Sequence, residues 1–449
     1  MQRNLTTGSV LKNTVLFSLP YFLSYFLQTL YGMADLYIIG KFGSVSEITA
    51  VSVGSQFMHM LTVMIVGLAM GTTVCVAQAV GGGDKQTAAK GVGNTVILFS
   101  AISVAITVLL LLLVYPIVAA VSTPPAAVNG TAEYLKICFM GIPFITAYNV
   151  ISSVFRGMGD SKSPMYFIIV ACFANIILDI LFIGVLQMGP AGAALGTTLS
   201  QAVSVVISLT YIIRKKVIIL KKQDFKPHGK TLGKLLSVGA PIAAQDGLIQ
   251  IAFIVITVIA NKRGLTDAAA VGIVEKVIVV LFLVPSSMLS AVSALGAQNI
   301  GAGKPERAVQ TLKIAVIITV SFGVFVALVT QFAAEGIVSV FTSDGGVIKS
   351  GGQYLRGYIY DCIFAGIHFS FSGYFCACGK SWISFVHNIS AIVLARIPGA
   401  YLMSKLFGTT LLPMGLATSF GSFVSVITCI TAFAVIRRKS KNVVQVVSQ

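Results

Sequence analysis

Charge is scarce in this sequence: Asp, Glu, Lys and Arg together make up 10% of the residues, where a soluble domain carries about 25%. Acid is the scarcer kind, with 14 Asp and Glu against 31 Lys and Arg. There is one tryptophan, and the four histidines (59, 228, 368 and 387) fall at no metal-ligand spacing. His368 and His387 read as ordinary hydrogen-bonded helix residues. The seven cysteines, at 75, 138, 172, 362, 376, 378 and 429, lie mostly within apolar runs and suggest no disulfide framework. Cys376-Ala-Cys378 reads as small packing residues in a helix, not as a metal pair. Neither a Walker spacing nor a nucleophile with its base is present, so neither an enzyme nor a cofactor is expected. These shortages exclude a soluble globular domain, a disulfide-stapled secreted domain and a metalloenzyme.

What the chain has in abundance is hydrocarbon. Hydrophobic residues make up 56% of its 449 positions, and the mean hydropathy is +0.92. That is the composition of an all-α polytopic membrane protein. Spanning the bilayer takes about 20 apolar residues per helix, and twelve such segments are evident. In the first half they lie near 14–39, 51–80, 91–121, 134–155, 164–186 and 192–213. In the second half they lie near 232–260, 268–295, 308–340, 354–376, 382–407 and 414–436. The first run is too long for a removable signal peptide and lacks a small-residue cleavage site. A net charge of +17 would suit a nucleic-acid binder if it were spread over a surface, but the basic residues gather in alternate loops. Arg3, Lys12, Lys85, Lys90, Arg156, Lys162, Lys304, Arg307 and the Arg437-Arg-Lys-Ser-Lys441 run fall on one side. By the positive-inside rule both termini are expected in the cytoplasm, in a multi-pass protein of the bacterial inner membrane.

The two halves repeat one another. Ala77-Gln78-Ala-Val-Gly81-Gly-Gly83 realigns with Ala297-Gln298-Asn-Ile-Gly301-Ala-Gly303 at an offset of 220, and Phe155, Gly159 and Ser161 fall on Phe375, Gly379 and Ser381 at the same offset. At 221, Pro20, Lys41 and Gly43 meet Pro241, Lys262 and Gly264. The expected domains are a six-helix lobe over 1–213, a basic cytoplasmic linker over 214–231, a second six-helix lobe over 232–436 and a cytoplasmic tail over 437–449. With six helices per repeat, the copies are related by a pseudo-two-fold axis along the membrane normal. Such a repeat lets two bundles rock around a shared substrate site. The Gln-x-x-Gly-x-Gly turns and the Arg156–Pro164 loop read as tight helix connections, not as phosphate cradles.

A few polar residues interrupt the apolar segments, where a charged side chain costs about 2.5–3.5 kcal/mol on insertion scales. Gln28, Tyr31 and Asp35 share one face of the first segment, at i, i+3 and i+7. Pro20 makes a hinge in the same helix. Asn149 lies in the fourth segment, Asn175 and Asp179 share a face of the fifth, and Thr197 lies in the sixth. Carboxylates, amide oxygens and a hydroxyl suit a hard monovalent cation, and close carboxylates suit a proton equally. The second half offers a different set: Asp246, Glu275 beside Lys276, Asp361 and Arg396. Glu275 with Lys276 reads as a local charge pair and Asp361 with Arg396 as an interhelical one. Asp246, Glu275 and Asp361 are also candidate contacts for a cationic substrate.

With its twelve segments, two repeats, basic linker and repeated Gln-x-x-Gly-x-Gly turn, the chain resembles the MATE (multidrug and toxic compound extrusion) transporters, and within them the bacterial DinF-like branch. The resemblance implies a MATE/MOP-type fold and a cation site at Asp35, Asn175, Asp179 and Thr197. Gln28, Tyr31 and Asn149 would line the cavity and Pro20 would act as the hinge. The implied activity is antiport: organic, mainly cationic amphiphiles leave in exchange for inward Na+ or H+, with no metal beyond a Na+ at the cation site and no cofactor. The implied partners are the small organic substrates, the coupling cation and the lipid bilayer, with a monomeric protein and no nucleic acid. A lipid-linked oligosaccharide flippase of the same superfamily is the alternative, kept open by Lys276 and Arg396.

Overall fold

The computed structural model describes residues 4–121 and 123–447, with side chains to residue 438. Arg3 and the Lys439-Ser-Lys441 part of the basic C-terminal run therefore lie outside the residues described at side-chain level. All the regular structure among the described residues is helical. The first repeat contributes α1 (Val10–Phe42), α2 (Val45–Gly81), α3 (Lys85–Leu112), α4 (Val114–Ala120), α5 (Val128–Met140), α6 (Ile142–Gly157), α7 (Lys162–Asp179) and α8 (Gly189–Lys215). The second contributes α9 (Gly229–Asn261), α10 (Leu265–Leu281), α11 (Leu283–Gly301), α12 (Pro305–Ser339), α13 (Gly345–Tyr358), α14 (Asp361–Ala377), α15 (Trp382–Ala391), α16 (Ile397–Leu406) and α17 (Leu412–Val447).

Among the described residues ten helical stretches are long and apolar enough to cross a membrane, and an eleventh is the α5–α6 pair, bent by 47° at Gly141. The α13–α14 pair covers the remaining expected segment, which is less apolar because it carries Lys349, Arg356 and Asp361. Two of those charges are neutralised by partners: Arg356 by Glu335 at 3.1 Å and Asp361 by Arg396 at 3.4 Å. Large apolar side chains lie on the surface while some polar ones are fully buried. Phe332 is 90% exposed and Leu112 76%, while Asn175, Asp179 and Asp361 are at 0%; that distribution suits hydrocarbon outside and polar groups inside.

Much of the small acidic complement is spent on helix starts, where backbone N–H groups lack intrahelical acceptors. Ser44 and Glu47 form a reciprocal capping box on α2. Asp84 accepts from Thr87 N on α3, Asp160 from the N–H groups of Lys162 and Ser163 on α7, and Asp344 from Val347 N on α13. The Thr87 hydrogen bonds hold the exposed Asp84 carboxyl below the usual carboxylate range.

The helices fall into two compact units, one chiefly Val15–Ala243 with Ala297–Lys304, the other chiefly Ala244–Gly296 and the chain from Pro305. The first has a core around Ile39, Val51, Leu135, Phe139 and Ile142, the second around Val271, Val274, Ile278, Tyr354 and Tyr358. The start of α9 belongs to the first unit because Gly239 allows it close to α2: a Cβ there would sit 2.2 Å from the Leu68 carbonyl oxygen. The linker is also anchored within that unit. Asn94 of α3 donates to the carbonyls of Asp224 and Lys226 and accepts from His228 N at 2.7 Å. The stretch from 437, expected as a tail, continues α17 as helix to Val447, and Arg437 pairs with Glu306 at 2.9 Å.

The internal repeat recurs in the backbone. Gly83 and Gly303, at φ 74° and 71°, and Gly159 and Gly379, at φ 86° and 68°, take the left-handed conformation at positions 220 apart. The two Gln-x-x-Gly turns pack against each other reciprocally. A Cβ at Gly81 would lie 2.0 Å from the Gln298 carbonyl oxygen, and one at Gly301 would lie 2.0 Å from that of Gln78. Proline stands inside both α1 (Pro20) and α9 (Pro241), and each helix runs through it unbroken. A π-helical turn follows α7 (Ile180–Val185), and another lies between α15 and α16 (Ile392–Arg396).

Candidate cation site

Asp35 stands two turns before the end of α1 and is 3% exposed. Its Oδ2 accepts a hydrogen bond from Thr197 Oγ1 of α8 at 3.0 Å. Asp179, the last residue of α7, and Asn175, one turn earlier, are both fully buried and lie within interaction range of the Asp35 carboxyl. Three helices thus bring together two carboxylates, an amide and a hydroxyl.

These groups are conspicuously unsatisfied. Asp35 Oδ1, both carboxylate oxygens of Asp179, and both the oxygen and the nitrogen of the Asn175 amide are buried without a hydrogen-bond partner. Among the described residues no Lys, Arg or His forms an ion pair with either acid. Burying polar atoms without partners costs about 1–3 kcal/mol each, and more when they are charged. A bound cation or proton offsets that cost directly, because the donor set is all oxygen apart from the amide nitrogen. Glycine makes the cluster possible: a Cβ at Gly196 would fall 2.0 Å from Asp179 Oδ1. The Gly189–Gly196 run of small residues carries that signal, which sequence reasoning passed over. Gln201, with a buried, unpartnered Oε1 and in range of Tyr31, was missed as well.

The remaining sequence candidates are placed as follows. Tyr31 and Gln28 are half-buried on α1, and Tyr31 lies near Asp35. Asn149 is buried, but its amide donates to the Ile145 carbonyl of its own helix at 2.8 Å, with no hydrogen bond to the carboxylates. In the second unit Asp246 is half-buried, with Gln245 Nε2 at 3.5 Å. Glu275 accepts from Thr257 at 3.0 Å and makes no ion pair with Lys276, because consecutive helix positions face different ways and Lys276 is exposed. Arg396 and Asp361 do pair, joined by a hydrogen bond from Arg396 to the Tyr358 hydroxyl. His387 bonds Ser372 at 2.9 Å and Ser425 at 3.2 Å, and His368 stacks on Phe369. Among the described residues no group of three His, Cys, Asp or Glu side chains is arranged to hold a metal.

A helical, membrane-spanning chain with duplicated halves and a cluster of buried acids without basic partners has the architecture of a membrane transporter. The MatE family model matches residues 20–181 and 241–402, once per repeat, and the chain belongs to that family. Its members are transport proteins, not enzymes. The chain is 29% identical over 415 residues to "Probable multidrug resistance protein YpnP" of Bacillus subtilis, covering 92% of this chain and 93% of the relative. It is 26% identical to "Probable multidrug resistance protein NorM" of Thermotoga maritima, covering 89% and 87%. Among solved structures, a MOP superfamily transporter from Pyrococcus furiosus, described as having a binding pocket of reverse polarity, superposes with a TM-score of 0.90 at 22% identity, covering 97% of each chain. That last likeness shows that the two chains share one fold over almost their whole length.

Proposed function

We propose that the protein is a secondary antiporter of the bacterial cytoplasmic membrane that exports organic, chiefly cationic amphiphilic compounds in exchange for inward Na+ or H+. The relatives' multidrug resistance names support the substrate class. The observation that carries the ion coupling is the set of five buried, unpartnered atoms on Asp35, Asn175 and Asp179. Thr197 and Gly196 are the positioning residues: one holds the Asp35 carboxyl, and the other leaves room for that of Asp179. One charge moving inward gains about 2.3 kcal/mol per 100 mV, and neutralising the two acids shifts the balance between conformations only by its differential affinity for them. Alternating access, with Pro20 as the hinge of α1, turns that shift into export. The protein acts as a monomer with both termini in the cytoplasm. The flippase reading has less support, since Arg396, which favoured it, already has Asp361 as its counter-ion.

The test is transport of a fluorescent organic cation in proteoliposomes under separately imposed Na+ and H+ gradients. The wild type is expected to respond to one of them, and Asp35→Asn and Asp179→Asn to lose that response. Export at the wild-type rate by both variants would overturn the assignment.

A further inference from the structure

The second unit holds another convergence of buried polar groups, and this one contains its own cation. Arg396, 7% exposed, ends the Ile392–Arg396 π turn. Its Nη2 donates to Asp361 Oδ2 at 3.4 Å and to the Tyr358 hydroxyl, and its guanidinium lies over the Phe253 ring at 5.3 Å. Glu275 lies within electrostatic range of the same group. Asp361 Oδ1 and Glu275 Oε1 are buried without hydrogen-bond partners, so acid is in excess around the single guanidinium.

The repeat makes this arrangement informative. At the offset of 220 the counterpart of Asn175 is position 395, so Arg396 falls one residue beyond it. The matching helix of each repeat contains a π turn, but at different places: it follows Asp179 in the first repeat and ends at Arg396 in the second, where the offset of 220 would put it at 400–405. Gly421 makes room for the arginine as Gly196 does for Asp179: a Cβ there would lie 2.8 Å from Arg396 Cβ. Beside Arg396, a cavity of about 20 Å³ lined by His368, Asn388, Ser422 and Ser425 has room for one water, not for a hydrated ion.

We propose that Arg396 is a tethered cation: it neutralises the buried acids of the C-terminal repeat, a task that the N-terminal repeat leaves to a mobile cation. This rests on reading Asp35 and Asp179 as the mobile-cation site. It follows that each chain takes up ions at one repeat only, and that the Asp361–Glu275 pair selects for a cation once the guanidinium is removed. Arg396 is a positioning residue, holding the acids of its repeat in a permanently neutralised arrangement.

The test uses the full-length Asp35→Asn/Asp179→Asn protein in detergent at pH 8, so that the N-terminal site is neutral. Into it are introduced Arg396→Ala, Arg396→Lys and the pair Arg396→Ala/Asp361→Asn. The unfolding midpoint is followed against guanidinium chloride in the low millimolar range and against NaCl, each matched with choline chloride. Arg396→Ala is expected to gain about 1.5 °C when either cation reaches a tenfold excess over its Kd. The parent, Arg396→Lys and the pair should stay flat. A parent that itself titrates with sodium, or an Arg396→Ala protein that responds to neither cation, would overturn the proposal. If Arg396→Ala does not fold unaided, its recovery in guanidinium or sodium but not in choline supports the proposal, and recovery in none of them overturns it. Cation-linked stabilisation of the wild-type chain is measured in parallel; its absence counts against the N-terminal site alone.

Discussion

A methyl group added at Gly196 would meet Asp179 Oδ1 at 2.0 Å. The carboxylate must then retreat by about 1 Å or more, because non-bonded atoms settle at about 3.5–4.0 Å. Moving one carboxylate charge from about 2.5 to about 3.5 Å from a bound cation forfeits roughly 2 kcal/mol at an effective dielectric constant of about 20. That corresponds to roughly a thirtyfold loss of apparent cation affinity. Overpacking adds a stability cost of about 1–3 kcal/mol, partly offset by the gain of about 0.5–1 kcal/mol from removing a helical glycine. Affinity should therefore fall much further than the folded fraction. Gly272→Ala is the control, since nothing lies within 4 Å of a Cβ there. The assay is the concentration of coupling cation giving half-maximal export in proteoliposomes, with the unfolding midpoint measured on the same preparations. An unchanged half-maximal concentration in a folded Gly196→Ala protein would refute the placement of Asp179 in the cation site.

Other outcomes follow from contacts elsewhere. Thr197→Val removes the hydroxyl that donates to Asp35; with a hydrogen bond to a charged group worth about 1.5–3 kcal/mol, cation affinity measured in the same export assay should drop about tenfold or more. Asn94→Ala frees the linker from α3, and trypsin should then cut at Lys221 or Lys222 faster than in the wild type, with transport retained. Gly81→Ala and Gly301→Ala each drive a methyl into a backbone carbonyl at 2.0 Å. Unlike a side chain, that oxygen cannot rotate away, so the yield of folded protein on size-exclusion chromatography should fall sharply for both.

The sequence discloses what hydropathy and the cost of buried charge can encode. The expected segments follow from hydropathy, and the cost of buried charge picks out Asp35 and Asp179, because an acid in hydrocarbon needs a reason to be there; the grouping of these two with Asn175 and Thr197 as one cation site is what the family resemblance implied. Partner choice is partly legible: of the two charge pairs read from the sequence, Asp361 with Arg396 forms across 35 positions, while Glu275 and Lys276, adjacent in sequence, face apart. The π turns were invisible because they change hydrogen-bond register without changing composition. The break at Gly141 and the room beneath Asp179 were equally hidden, since a glycine's role is defined by what approaches it. That α17 continues through Arg437-Arg-Lys as helix was not legible either, since a basic run carries no apolar periodicity.

The reciprocal contact of Gly81 with Gln298 and of Gly301 with Gln78 has the form of an isologous interface, in which each patch meets its own copy. Such interfaces ordinarily join two identical subunits; here both copies reside on one chain. Fusion removes the obligation to stay identical everywhere else. Asp35 faces no acid at its counterpart, Ile256, and Arg396 has no basic counterpart at Ile176. A homodimer of half-length chains would have to carry both innovations twice or not at all. The fused chain keeps the symmetric joint and lets its two halves specialise.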